Sequence, residues 1–96
     1  MKIVTMVKGK VPPARLEEFE NAYRSGKDGS LPPGLEMSLL LKSAEEPGLY
    51  TIETVWSSRE ALQAMRSSEK PRAIALFEEV GVSPKVEIHE VAASVR

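Results

Sequence analysis

Two strand-like segments lie close together in the middle of the chain. Residues 35–43 (LEMSLLLKS) and 49–56 (LYTIETVW) are rich in residues that favour strands, and their side chains alternate with the two-residue period of a β-strand. Only residues 44–48 (AEEPG) separate them, and Pro and Gly in such a short connection favour a turn. Strands joined this closely run antiparallel, so the centre of the chain predicts a β-hairpin.

The segment before the hairpin predicts an amphipathic helix. Pro13 suits a first helical turn, where the missing N–H costs nothing, and Gly26 is typical of a helix C-terminal end. Apolar side chains recur between them at helical spacing: Leu16, Phe19 and Tyr23. We therefore expect a helix over 13–25, followed by a loop over 26–34 (GKDGSLPPG), for which a role as a lid is left open.

Two more helices are predicted after the hairpin. Ser57 is followed three residues later by Glu60, the spacing of a capping box, which predicts a helix that runs to about Ser67. Pro71 suits the start of a third helix and Gly81 its end. Its inward side chains are expected to be Ile74, Phe77 and Val80.

Both ends of the chain predict strands. Residues 2–11 alternate with a two-residue period, and residues 84–95 (PKVEIHEVAASV) read as a closing strand. The resulting order, βαββα(α)β, is that of an α+β ferredoxin-like fold, a four-stranded antiparallel sheet with helices on one face. A chain of 96 residues has room for one core, so we expect a single domain over 1–96.

One face of this sheet is expected to need a partner. The face assigned to Val4, Met6 and Leu40 is too apolar to be simply solvated. We therefore predict a homodimer in which the two sheets pack against each other.

Composition excludes several classes of function. Thirteen basic and 14 acidic residues give no electrostatic footprint for nucleic acid or for an anionic membrane. The chain has no cysteine and one histidine, His89, so it offers no thiolate nucleophile and no multi-histidine metal site. The N-terminal strand is too short and too alternating for a signal peptide or a spanning helix, and we expect a cytoplasmic protein.

A family resemblance runs across essentially the whole chain. It is carried by Pro33 and Gly34 before the second strand, by the strand that ends in Trp56, and by the step WSSREAL (56–62) into a helix. In order and spacing these features resemble the antibiotic biosynthesis monooxygenase (ABM) superfamily of dimeric α/β barrels. The resemblance implies a small-molecule pocket in each subunit, between the sheet and the helices.

The resemblance also bears on individual residues. Family members include cofactor-independent monooxygenases of polyketide or quinol-like aromatics, heme-degrading monooxygenases, and an enzyme that processes a quorum-sensing sugar derivative. In the polyketide-oxidising type a tryptophan lines the pocket, and Trp56 matches it. That type also has an asparagine four positions before the tryptophan and a tyrosine six positions after it, and these positions are Ile52 and Leu62 in this chain.

Heme-degrading members use an asparagine, a tryptophan and an axial histidine. The corresponding positions in this chain are Thr5, Met65 and Ala75. Many other members carry a helix-borne histidine at Met65. A heme cofactor is therefore not expected.

The candidate site follows from these matches. Oxygenation without a cofactor needs a dry pocket, a base, and a hydrogen-bond donor for the developing oxyanion. Trp56 and His89 are the candidate catalytic residues, His89 because an imidazole is the side chain best suited in general to act as a base near neutral pH. The expected pocket residues are Tyr23, Tyr50, Ile52, Leu62 and Met65.

Each catalytic candidate has a structural alternative. Trp56 could be a core anchor whose N–H bonds a backbone carbonyl, and His89 could be a structural or solvent-facing residue of a terminal strand. Strand parity places Glu53 on the opposite face from Trp56, so an interface role or a cross-strand pair with a lysine such as Lys8 is favoured over a role as pocket base.

Three functions remain open from the sequence. The first is a cofactor-independent monooxygenase of a small aromatic or quinol-like metabolite. The second is a non-catalytic dimer that binds a small molecule. The third is an isomerase or lyase that uses His89 as its base, for which turnover would not depend on oxygen.

Overall fold

The computed structural model describes residues 1–26 and 31–95, and it confirms the predicted order of elements. The strands are β1 (Ile3–Lys10), β2 (Leu35–Lys42), β3 (Leu49–Trp56) and β4 (Lys85–Glu90). The helices are α1 (Leu16–Ser25), α2 (Arg59–Ser68) and α3 (Arg72–Glu79), and a 3-10 turn over Pro13–Arg15 leads into α1. Within the described ranges, no helix is long and apolar enough to cross a membrane.

The four strands form one antiparallel sheet in the order β2-β3-β1-β4. This is the predicted ferredoxin-like arrangement, with the helices packed on one face, which we call the inward face. Alternate residues of the two central strands are buried on this face: Ile3, Thr5 and Val7 of β1, and Tyr50, Ile52, Thr54 and Trp56 of β3. The β1 to β3 register sets Ile3 opposite Trp56 and Thr5 opposite Thr54.

The core beneath the helices has two parts. In the larger, the ring of Phe19 from α1 packs edge-on against Tyr50 with centroids 5.2 Å apart, and against Phe77 of α3 at 4.7 Å. The smaller part joins Ile3, Trp56 and Leu62, and so fixes α2 over the ends of β1 and β3. Burial of large aromatic and branched side chains is the main stabilising contribution to such a fold.

The second strand corrects one prediction. A β-bulge between Leu35 and Met37 shifts the alternation, so Leu40 lies opposite Ile52 and packs against the inward core. The predicted placement of Leu40 on the partner-seeking face is therefore wrong. That face, which we call the open face, instead carries Met37, Leu39 and Leu41, which are 47%, 40% and 42% exposed.

The start of α2 corrects the predicted position of the helix cap. Ser58, not Ser57, is the N-cap, and its hydroxyl accepts a hydrogen bond from the backbone N–H of Ala61 at 3.1 Å. Ser57 remains outside the helix, where its backbone N–H donates to the carbonyl of Gly34 at 2.8 Å. This bond ties the end of β3 to the residue that precedes β2.

Gly34 occupies a position that only glycine fits easily. Its φ is +87°, and a Cβ there would lie 2.4 Å from the Cβ of Ala61. The close approach holds the 31–34 segment against α2. Residues 27–30 of the predicted loop lie outside the described residues, so the role of this loop as a lid is not tested.

Candidate functional site

A cavity of about 810 Å³ lies between the inward face of the sheet and the helices. The C-terminal end of α1, the inner side of α2 and the first turn of α3 border it, and β1 and β3 form its floor. Apolar side chains make up most of the wall, among them Val7, Ile52, Trp56, Leu62, Met65 and Leu76. Its volume falls within the range of small-molecule sites, about 300–1,000 Å³.

Trp56 is at once a wall of this cavity and a member of the core. The residue is 3% exposed, and its indole Nε1–H donates to the Thr5 hydroxyl at 3.3 Å. Trp56 therefore borders the cavity and also packs in the core, and its N–H bonds a side-chain oxygen where a backbone carbonyl was expected. Because Thr5 also lines the cavity, the bonded pair lies in its floor.

Hydroxyl groups supply further polarity in the wall. The Tyr23 hydroxyl lies 2.7 Å from the Ser38 hydroxyl, so α1 and β2 are linked across one side of the cavity. Thr54 lies next to Trp56 on the inward face and is 7% exposed. An apolar cavity with a few placed hydroxyls can orient a flat, mostly apolar molecule by its oxygen substituents.

Four of the five predicted pocket residues line the cavity: Tyr23, Ile52, Leu62 and Met65. Tyr50 does not contribute to the described wall, because Phe19 covers its ring and its hydroxyl donates to the carboxylate of Glu20. Burial and the neighbouring Glu20 raise the pKa of Tyr50 from 10.0 to about 12. The Tyr50 hydrogen bond in turn lowers the pKa of Glu20, with help from the positive charge of Lys42. This pair fastens α1 to β3.

The structure does not bring His89 to Trp56. His89 lies opposite Val4 on the open face, the other side of the sheet from the cavity, with its side chain 54% exposed. Its Nε2 is 3.2 Å from the carboxylate of Glu87. The hydrogen bond to His89 and the charge of Lys8 lower the pKa of Glu87.

Glu53 also lies on the open face, as parity predicted, where its neighbours across the sheet are Met6 and Leu39. The suggested pair with Lys8 is not formed: Lys8 lies opposite Thr51, and its Nζ is 3.5 Å from Glu87.

The three positions that correspond to heme-degrading residues all face the cavity: Thr5, Met65 and Ala75. None offers an imidazole, and the only histidine lies across the sheet. An imidazole-ligated heme therefore does not fit the residues that line this cavity. Among residues 1–26 and 31–95, no three histidine or acidic side chains are grouped as metal ligands.

Basic side chains at the cavity border were not predicted as site residues. Arg66, Lys70 and Arg72 lie on or beside the α2 to α3 connection and line the cavity, as does Arg24 at the end of α1. A signal was present in the segment RSSEKPR (66–72), which places three basic residues around the junction of two predicted helices. Its relation to the cavity depends on how the two helices pack, and the local pattern does not contain that information.

A smaller hollow of about 480 Å³ adjoins the cavity. It lies between residues 31–34 and α2, and it shares Leu31, Pro32, Met65 and Glu69 with the larger space. The 31–34 segment thus borders both spaces.

The sequence and the fold were compared with those of known proteins. A family model described as antibiotic biosynthesis monooxygenase matches residues 2–75. No curated protein matches the sequence. Three similar solved structures illustrate the fold.

The first is a variant of SnoaB, a cofactor-independent oxygenase from Streptomyces nogalater, with a TM-score of 0.73, 14% identity, and 98% of this chain and 96% of that chain covered. The second is a heme-degrading protein from Mycobacterium tuberculosis, with a TM-score of 0.70, 24% identity and complete coverage of both chains. The third is a conserved protein from Methanosarcina mazei, with a TM-score of 0.68, 21% identity, and 93% and 91% covered. At these identities the likeness concerns the fold.

Proposed function

The chain belongs to the antibiotic biosynthesis monooxygenase family, and we propose that it is a cofactor-independent monooxygenase of a small aromatic or quinol-like metabolite. The observation that carries the proposal is the apolar cavity whose floor holds Trp56 bonded to Thr5. Family membership alone would leave the reaction open, because one fold hosts many activities.

With an anthrone as substrate, the reaction is the conversion of the ring methylene to a carbonyl, which gives an anthraquinone. The substrate loses a ring proton to solvent at the cavity opening and becomes an electron-rich enolate, which gives electrons to O₂; the proton is recovered in the product water. One oxygen atom enters the ring carbonyl, the other leaves as water, and the substrate supplies both electron pairs. The protein contributes a mostly apolar cavity, a fixed orientation, and a hydrogen-bond donor for the enolate oxygen.

Thr5 is the best placed donor. Its oxygen accepts the indole N–H of Trp56, which leaves its own hydroxyl hydrogen for a ligand. A donor whose oxygen is already accepting a hydrogen bond is a stronger donor, because such chains polarise one another. Trp56 therefore acts both as a wall for the substrate ring and, through Thr5, as a positioning residue.

A second candidate function is a non-catalytic small-molecule-binding protein. It is favoured by one observation: the carboxylates in the described cavity lining are Glu36 and Glu69, and both are exposed at the border. No carboxylate among the described residues is buried where it could remove a ring proton. The isomerase or lyase alternative loses support, since His89 lies on the other face of the sheet.

Oxygen dependence separates these functions. An anthrone and a substituted hydroquinone would be offered to the protein in air and under nitrogen, with the spontaneous rate subtracted. The monooxygenase proposal expects enzyme-dependent consumption in air alone. Turnover that continues under nitrogen would indicate an isomerase or lyase, and the absence of turnover across a broad panel would favour the binding function.

The proposed assembly is a homodimer formed through the open face. Its centre carries Met6, Met37, Leu39, Leu41 and Val55, and the three β2 side chains among them are large and at least 40% exposed. Contiguous exposed apolar surface of this kind is typical of an interaction site. Charged groups lie nearer the border, including Lys8, Lys85, Glu87 and His89 of β1 and β4. Sedimentation at micromolar concentration would show a dimer, and a folded monomer would refute the assembly.

A further inference from the structure

The border of the cavity differs in charge from the rest of the chain. The whole protein has a formal net charge of −1. Among the described residues, by contrast, the cavity is lined by four basic side chains (Arg24, Arg66, Lys70 and Arg72) and two acidic ones (Glu36 and Glu69). All six belong to exposed residues, so they lie where the cavity meets solvent. The opening is therefore positive although the protein is slightly negative.

Several of these charges are already paired. Arg24 bonds Glu20 at 3.2 Å, Lys70 bonds Glu78, and the acidic Glu36 bonds Lys2. Neutralised pairs at a surface attract a ligand only weakly. The positive charge available to a ligand must come from the remaining basic groups.

Arg66 and Arg72 remain. Within the described residues, Arg66 has no carboxylate within ion-pairing distance, and Arg72 bonds only the neutral backbone carbonyl of Ala22, at 2.9 Å. Glu69 lies between them in sequence and forms no ion pair with either. This part of the border thus carries two guanidinium groups and one carboxylate among its described residues.

Arg72 is also held in place. A Cβ at Gly26 would lie 1.9 Å from Nη2 and 2.1 Å from Cζ of Arg72, so a side chain at Gly26 would displace the guanidinium. The group therefore rests on the C-terminal end of α1, where a positive charge is favourable. Its carbonyl bond uses one of five N–H donors and leaves others for a second acceptor.

We infer that the ligand of this cavity is an apolar ring system that carries an anionic group, such as a carboxylate, and that Arg66 and Arg72 bind this group at the cavity opening. The inference deepens the proposed function and rests on it for the use of the cavity. The apolar wall near Trp56 takes the rings, and the guanidinium groups take the charge. Guanidinium suits a carboxylate because its planar N–H groups match the two carboxylate oxygens.

A matched pair of probes tests the inference by binding alone. Anthraquinone carboxylate and its neutral carboxamide have the same ring system and nearly the same shape, and neither can be oxidised further at the ring carbonyls. Trp56 is the only tryptophan and lines the cavity, so quenching of its fluorescence reports occupancy directly. We expect the carboxylate to bind about tenfold more tightly than the carboxamide, the value of a charge-assisted hydrogen bond at a partly exposed site.

Three variants and one control locate the effect. Arg66→Gln and Arg72→Gln should each remove most of the preference for the carboxylate and leave carboxamide affinity unchanged. Because Arg72 also bonds α1, Arg72→Lys is included to keep the charge if Arg72→Gln lowers stability. Arg59→Gln is the matched control: Arg59 lies on α2 but pairs with Glu90 and does not line the cavity. It should leave the preference intact.

The outcomes are distinguishable. Equal affinity of the two probes in the unaltered protein, or a preference that survives in Arg66→Gln and Arg72→Gln, overturns the anionic-ligand inference and leaves the proposed function standing. Failure of both probes to quench Trp56 overturns the inference together with the use of this cavity as a ligand site. A carboxylate preference lost in both glutamine variants and kept in Arg59→Gln supports it.

Discussion

The indole N–H of Trp56 donates to the Thr5 hydroxyl at 3.3 Å, and this bond joins β3 to β1 in the floor of the cavity. Both residues are nearly fully buried, so water cannot easily replace the bond. The bond fixes the plane of the indole and so determines which part of the ring a ligand meets. It also makes Thr5, a residue that composition and spacing do not single out, part of the proposed site.

Thr5→Val should therefore affect both stability and turnover. Valine keeps the shape of threonine but leaves the Trp56 N–H without an acceptor, which costs about 1–3 kcal/mol of unfolding free energy. Turnover of an anthrone should fall by about tenfold or more because the donor for the enolate oxygen is lost. Urea unfolding and oxygen uptake measure the two effects. Thr54→Val is the control, since Thr54 faces the same cavity without bonding Trp56. An equal loss of turnover in both variants would contradict the role of Thr5 as the donor to the enolate oxygen.

The Tyr50 to Glu20 bond predicts a pH-dependent contribution to stability. The pKa of Glu20 is lowered on folding, so its contribution is complete above the ordinary value of 4.5 and is lost as pH falls through the lowered pKa. The pKa of Tyr50 is raised to about 12, so its contribution is complete below pH 10.0 and is lost as pH rises through about 12. The stability difference between the unaltered protein and Tyr50→Phe should be largest between these limits.

Urea unfolding at pH 7 and at pH values below 4.5 would measure the acid side of this dependence. Tyr23→Phe serves as the control, because Tyr23 bonds the uncharged hydroxyl of Ser38 and its removal should cost the same at both pH values. A Tyr50→Phe difference that does not shrink in acid would contradict the assigned bond.

Two glycines with similar backbone angles predict different costs of substitution. Gly34 and Gly81 have φ values of +87° and +79°, but a Cβ at Gly34 would meet Ala61 at 2.4 Å, while at Gly81 it would meet nothing within 4 Å. Gly81→Ala should cost about 1 kcal/mol for backbone strain alone. Gly34→Ala should cost about 1–3 kcal/mol more because of overpacking against α2. Thermal or urea unfolding of both variants tests this, and equal costs would mean that the 31–34 segment does not press on α2.

The open face predicts how the proposed dimer can be broken. Leu39→Glu places a charge in the middle of the proposed interface, beside Glu53 of the neighbouring strand, and should give a monomer where the unaltered protein is expected to dimerise. Ile88→Glu is the matched control, because Ile88 is equally exposed (42%) but lies on the inward side of β4. Sedimentation of both variants gives the result. A dimer that persists in Leu39→Glu, or dissociates in Ile88→Glu, would place the interface elsewhere.

The elements were predictable because their signals are local. The alternation in 49–56 gives both β3 and its buried face, and Pro71 and Gly81 bound α3 by backbone chemistry alone. Finer errors occurred where two local solutions are nearly equal. Adjacent serines can each cap α2, and a single bulged residue at the start of β2 inverts which leucines face the core.

The site was less predictable because it depends on packing between distant elements. Tyr50 and Trp56 share one face of β3, yet α1 covers the first and the second borders the cavity. His89 has suitable chemistry for a base, but only the pairing of β4 with β1 determines which side of the sheet it occupies. The basic residues of 66–72 acquire a role only when α2 and α3 are placed around the cavity.

The fate of isotopically labelled O₂ during oxidation of an anthrone tests monooxygenation by this protein most directly. A cavity that performs monooxygenation predicts one labelled oxygen atom in the quinone carbonyl and the other in water, at a rate above the spontaneous reaction. Trp56→Phe should remove that excess rate, whereas Tyr50→Phe, on the same strand but outside the cavity, should keep it. A quinone without the label, or an excess rate unchanged in a folded Trp56→Phe protein, would contradict the central claim.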